Sequence, residues 1–198
     1  MAEFPSEPFH EITARLFGAR KKLSKSASRT YWHLLNLLES AERGLSQAQK
    51  DFAESLELQA VEGASAYEDV VPALAELRSM GIQLLIASSL SNAAIARFLE
   101  RWMLQEIFTA AWGRNNAGGI KDAPLRKAFD CASLDPARTI FLTDTAEGLQ
   151  TAKNAGVQPI LMMNDPDEAK RLAMLGPAGG VVSLYELPDF VRLVAARQ

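Results

Sequence analysis

The sequence predicts an α/β fold: a parallel sheet with helices on both faces, preceded by an all-helical subdomain. Three observations predict it. After residue 63, short and nearly all-apolar runs alternate with helix-periodic segments, the pattern of a parallel sheet buried on both faces. Over residues 10–62, apolar residues recur at helical spacing, and nothing alternates like a strand. Glycines Gly81 and Gly156 follow two helix patterns directly, where a left-handed C-terminal cap favours them. These features divide the chain into a helical subdomain over 1–65 and an α/β core over 66–198, with Gly63-Ala64-Ser65 at the boundary.

The elements follow in order. Residues 10–44 read as two helices, with Ile12, Leu16 and Leu23, then Trp32, Leu35 and Leu38 at helical spacing. A third begins near Leu45 and runs through Phe52, Leu56 and Leu58. Val70, Val71, Leu74 and Leu77 form the stripe of the next helix, closed by Gly81. Ile82–Ala87 reads as a strand and Asn92–Met103 as a helix burying Ile95, Phe98, Leu99 and Trp102. Strands are expected at Ile107–Trp112, Thr139–Thr143, Val157–Met163 and Val181–Ser183. Helices are expected at Pro124–Leu134, Thr145–Ala155, Pro166–Leu175 and Glu186–Ala196.

Composition bounds the function. The chain has 198 residues, is 48% hydrophobic and 23% charged, and carries a net charge of -3. That balance is ordinary for a globular protein and gives no overall positive charge for nucleic acid. Arg15, Arg20, Lys21, Lys22, Lys25 and Arg29 make one basic stretch, read as a solvated helix face. No apolar run spans a bilayer and the N-terminus has no secretory pattern, so a cytoplasmic protein is expected. The single cysteine, Cys131, excludes an intrachain disulfide framework and reads as a buried packing residue. His10 and His33 stand apart, with no zinc spacing. Trp32, Trp102 and Trp112 read as core.

Three strand ends carry polar residues. Ile86-Ala87 runs into Ser88-Ser89-Leu90-Ser91-Asn92, Gly119-Ile120 into Lys121-Asp122, and Leu142-Thr143 into Asp144-Thr145. Ligands of parallel sheets bind at such carboxyl ends. A transferring phosphoryl group needs donors and cations around its oxygens. Ser88 or neighbouring N–H groups could donate, Lys121 could place a point charge, and Asp144 could hold a magnesium ion. The set is expected to meet at one edge of one sheet.

Ser88, then Lys121-Asp122-Ala123-Pro124, then Phe141-Leu142-Thr143-Asp144-Thr145 ending in Ala155-Gly156 resemble the second, third and fourth motifs of the haloacid dehalogenase superfamily. The helices before residue 63 resemble the helical cap of its phosphatases. The resemblance implies a Rossmannoid core and a phosphohydrolase acting on small phosphorylated metabolites. It assigns phosphate binding to Ser88 with Ser89 and Asn92, charge neutralisation to Lys121, and magnesium to Asp144 with Glu147 as an adjacent acid.

Two departures from the family pattern bear on catalysis. No Asp-x-Asp occurs before residue 63, so the family's phospho-aspartyl intermediate has no nucleophile. Gly148 occupies the position of the fourth motif's second acid. A catalytically impaired pseudoenzyme is therefore expected. The alternatives are an active phosphatase whose chain begins upstream of Met1, or a non-enzymatic binding protein on the same fold. The absent motif also removes a central strand. Direct pairing of Ile82–Ala87 with Thr139–Thr143 is the first expectation, and a strand from a second copy, another partner or an upstream extension the second. Pro5 and Pro8 argue against Met1–Phe9 as that strand.

Overall fold

A computed structural model describes residues 2–3, 47–120 and 122–196. The two helices expected over 10–44, with His10, His33, Trp32 and the Arg15–Arg29 stretch, lie outside the described residues, as does Lys121. In chain order the elements are β1 (Ala2–Glu3), α1 (Gln47–Gly63), β2 (Ser65–Ala66), α2 (Val70–Ser79), β3 (Leu85–Ala87), α3 (Asn92–Arg101), β4 (Ala110–Trp112) and α4 (Arg114–Ala117). They continue with α5 (Asp122–Ala132), β5 (Ile140–Thr143), α6 (Ala146–Asn154), β6 (Gln158–Met162), α7 (Pro166–Ala173), β7 (Gly179–Val181) and α8 (Leu187–Ala195). Short 3-10 turns at Pro136–Arg138 and Leu184–Glu186 precede β5 and α8. The architecture is α/β, with parallel strands joined through helices. Among the described residues, no helix is long and apolar enough to cross a membrane.

The chain forms two compact units, residues 1–67 with 89–105 and residues 68–88 with 106–198. In the first, α1 packs on α3. Ala53, Leu56, Ala60 and Val61 of α1 are buried, as are Ala94, Ile95 and Leu99 of α3, a helical stripe on each. Arg101 donates from Nη1 to the Val61 carbonyl at 2.8 Å and also to that of Glu62, closing the C-terminal end of α1 with a cation. Arg97 Nε donates to Glu62 Oε1 at 2.6 Å, a bond that holds the Glu62 carboxyl below the usual carboxylate range. β1 and β2 form a two-residue antiparallel ladder, which no alternation in the sequence announces.

The second unit holds the parallel strands. β3 pairs with β4, Leu85 opposite Ala110; β6 lies between β5 and β7, with Leu142 opposite Ile160 and Leu161 opposite Gly180. Leu149 of α6 and Leu172 of α7 are buried with Leu161 of β6, each burial worth about 1.5–3 kcal/mol. Gly81 and Gly156 have φ of +78° and +71°. In the first cap, Gly81 N donates to Arg78 O and Ile82 N to Leu77 O; in the second, Gly156 N donates to Lys153 O and Val157 N to Ala152 O. Both are Schellman caps, as the sequence predicts.

Several expectations are corrected. β3 does not pair with β5 among the described residues; α5, which packs on β3, β4 and α6, links the two ladders instead. The last strand is Gly179–Val181, because Ser183 turns outward from the ladder and caps the following 3-10 turn through Tyr185 N at 3.2 Å. Cys131 is exposed, because the buried face of α5 is Pro124, Leu125 and Ala128. Val71 is 46% exposed while Ala73 takes its place in the core. Trp112 is buried, and Trp102 only partly so.

Candidate functional site

Two turns of the second unit carry sequence-predicted residues. The first follows β3. Leu84 O accepts from Thr109 N at 2.8 Å, and Ser88 N donates to Trp112 O at 2.9 Å. These bonds extend the β3–β4 ladder on both sides, so Ser88 is anchored by its backbone at the carboxyl end of β3. Ser89 and Asn92 belong to the first unit. There, Ser91 caps α3 by accepting from Ala94 N at 3.2 Å.

The second turn joins β5 to α6 and is built from hydroxyls. Thr145 is the N-cap of α6, its Oγ1 accepting from Gly148 N at 3.0 Å. Thr143 Oγ1 lies 3.3 Å from Thr145 Oγ1. An oxygen acceptor aimed at the first-turn amides is what a β-to-α turn requires. Asp144, between these two threonines, is exposed. Glu147 follows in the first turn of α6, where the helix dipole favours a carboxylate. Asp144 and Glu147 thus share one turn.

Sequence reasoning missed Asn164. Its Nδ2 donates to Asp144 Oδ2 at 3.4 Å. The signal was available: Asn164 follows the strand expected over Val157–Met163 as Asp144 follows that over Thr139–Thr143, so the strand-end criterion selects it too. Thr143 was likewise read only as the last residue of a strand.

Magnesium takes six oxygen ligands in near-octahedral geometry, usually one or two carboxylates with water and phosphate. Among the described residues, no group of three or more His, Cys, Asp or Glu side chains is placed to hold a metal ion. Asp144 meets an amide donor, and Gly148 offers no side chain. What the described residues of this turn offer a magnesium ion is Asp144 with Glu147 beside it in sequence, with no third acidic side chain grouped with them. What the β5–α6 turn supplies is two threonine hydroxyls beside the carboxylates of Asp144 and Glu147.

A family model for haloacid dehalogenase-like hydrolases matches residues 18–162, well over half of the chain. Among solved structures, a haloacid dehalogenase-like family hydrolase from Streptococcus pneumoniae is similar, with a TM-score of 0.72 at 17% identity over 93% of this chain and 89% of that one. CbbY from Rhodobacter sphaeroides, in complex with phosphate, gives 0.69 at 18% identity over 92% and 88%. A HAD phosphatase from Thermococcus onnurineus gives 0.64 at 17% identity over 95% and 92%. No curated protein matches the sequence. At these identities the structural likeness is one of fold.

Proposed function

Because the chain belongs to the haloacid dehalogenase-like hydrolases, we propose that it binds small phosphorylated metabolites in its second unit and, as this chain stands, does not hydrolyse them. The observation that carries the proposal is the make-up of the β5–α6 turn: two threonine hydroxyls, one exposed carboxylate and Gly148. Such a turn can donate to phosphate oxygens, but it lacks the carboxylate cluster that metal-assisted transfer would use. In this reading Ser88 at the end of β3 donates further, and Lys121, which the resemblance gives the charge-neutralising role, is the cation. The missing Asp-x-Asp before residue 63 removes the nucleophile that the family pattern places there, leaving binding without a covalent step.

The test uses this chain with inorganic phosphate and with a generic aryl phosphomonoester. Titration calorimetry is expected to detect binding that Ser88→Ala and Lys121→Ala each weaken by roughly tenfold, the loss of one charge-assisted or hydroxyl contact. No release of phosphate above background is expected, with or without magnesium. Magnesium-dependent turnover abolished by Asp144→Asn would overturn the proposal, as would phosphate affinity indifferent to both substitutions.

A further inference from the structure

Gly148 lies in the first turn of α6, where glycine is the poorest residue short of proline. The neighbourhood explains its presence. A Cβ built at 148 would lie 2.0 Å from Thr143 Oγ1, 2.8 Å from Thr143 Cβ and 3.0 Å from Thr143 Cγ2. Rotation about χ1 moves Oγ1 and Cγ2 away but leaves Cβ where the backbone of β5 holds it. Alanine or serine at 143 would therefore collide as well, and only glycine at one of the two positions relieves the contact. Thr143 is also tied into the turn, its Oγ1 3.3 Å from Thr145 Oγ1 and 3.4 Å from Thr145 N. The residue that caps α6 is thus braced by the residue that excludes a side chain from 148.

We infer that Thr143 determines the metal character of this turn: by occupying the space at 148 it excludes a carboxylate from that position, leaving Asp144 with Glu147 alone, and the chain holds no divalent cation tightly there. The inference stands apart from the proposal of a phosphorylated ligand, since it concerns the apoprotein and the cation alone. Two predictions follow from the geometry. Substitution at 148 alone should strain the fold without creating a site. Substitution at 148 together with Thr143→Gly should be accommodated, and an acid placed there should gain metal.

The experiment reads thermal stability and Mn2+ binding, the latter by the spin-resonance signal of free Mn2+. Wild type is expected to bind Mn2+ more weakly than about 1 mM. Gly148→Asp and Gly148→Ala should each lower Tm by roughly 5 °C with no gain in Mn2+ affinity. In a Thr143→Gly background the same substitutions should cost little, and T143G/G148D should bind Mn2+ at least about tenfold more tightly than wild type. The inference is overturned by micromolar Mn2+ binding in wild type, by a Gly148→Asp protein that gains Mn2+ at full stability, or by a folded T143G/G148D that binds no better. Should T143G/G148D fail to fold, Gly148→Ala with and without Thr143→Gly decides: equal losses of Tm in both backgrounds would sink the steric coupling.

Discussion

Asp69 is buried at the start of α2, and its Oδ2 accepts from the Ser183 hydroxyl at 2.6 Å and from Leu184 N at 2.8 Å. One carboxylate oxygen therefore fixes the turn after β7 to the helix that opens the second unit. The other oxygen, Oδ1, is buried with no hydrogen-bond partner among the described residues, so the group is held by half of its capacity. Asp69→Ala strands a buried N–H and should cost about 2–3 kcal/mol, measured by urea unfolding. Asp69→Asn keeps an acceptor and should cost less than half as much; equal losses would show that charge, not acceptance, matters. None of this was legible, because Asp69 and Ser183 lie 114 positions apart and each reads as an ordinary turn residue. Thr145 and Gly156 were legible, because caps are local: the residue that caps a helix adjoins it in sequence. Gly148 was visible as an odd residue, but its cause, Thr143, required the turn to be seen folded.

Two kinds of polar contact tie α1 to α3, and they should differ in weight. Arg97 and Glu62 meet at the surface, where solvent and salt screen an ion pair. Glu57 is buried in α1, and its Oε2 accepts from Ser91 N at 3.0 Å, the residue that caps α3. Glu57→Ala should therefore destabilise by about 1–3 kcal/mol, while Arg97→Ala should cost clearly less, both read from chemical denaturation. Glu62 has its carboxyl lowered, chiefly by the Arg97 bond. Its contribution is present above the unfolded carboxylate range and lost as pH falls through the lowered folded value; the Arg97→Ala effect should accordingly vanish in acid. Among strands, β6 is paired on both sides and has Ile160 and Leu161 buried. Native-state hydrogen exchange should find its amides slower than those of β3, which has one described partner. The strands were legible as apolar runs, whereas their partners were not, since pairing is decided by long-range order that periodicity does not encode. β7 was misplaced because Gly179-Gly180 carry no strand propensity.

At the scale of the whole molecule, alternation of apolar runs and helix stripes was enough for the α/β class, and the family was legible as a resemblance of the Ser88, Lys121–Pro124 and Phe141–Thr145 motifs, which the family model bears out. The division into units was less visible. Composition changes once, near residue 63, yet the compact units exchange the chain three times, after residues 67, 88 and 105. Helix α3, which by sequence continues the strand–helix alternation, belongs with α1. This interleaving has a consequence for synthesis on the ribosome. Every residue of the first unit has been made once Gln105 is joined, whereas the second unit holds only Glu68–Ser88 at that moment. Its β3 must wait for β4, and β5, β6 and β7 are still unmade. At about 5–20 residues per second the remainder takes roughly 5–20 s, long against the formation and docking of two short helices such as α1 and α3. A nascent chain stalled with Gln105 outside the tunnel should resist protease across α1 and α3 while Leu84–Ala87 is still cut. During that interval a short apolar strand is displayed without its neighbour, which makes Leu84–Ala87 a natural segment for a chaperone to hold.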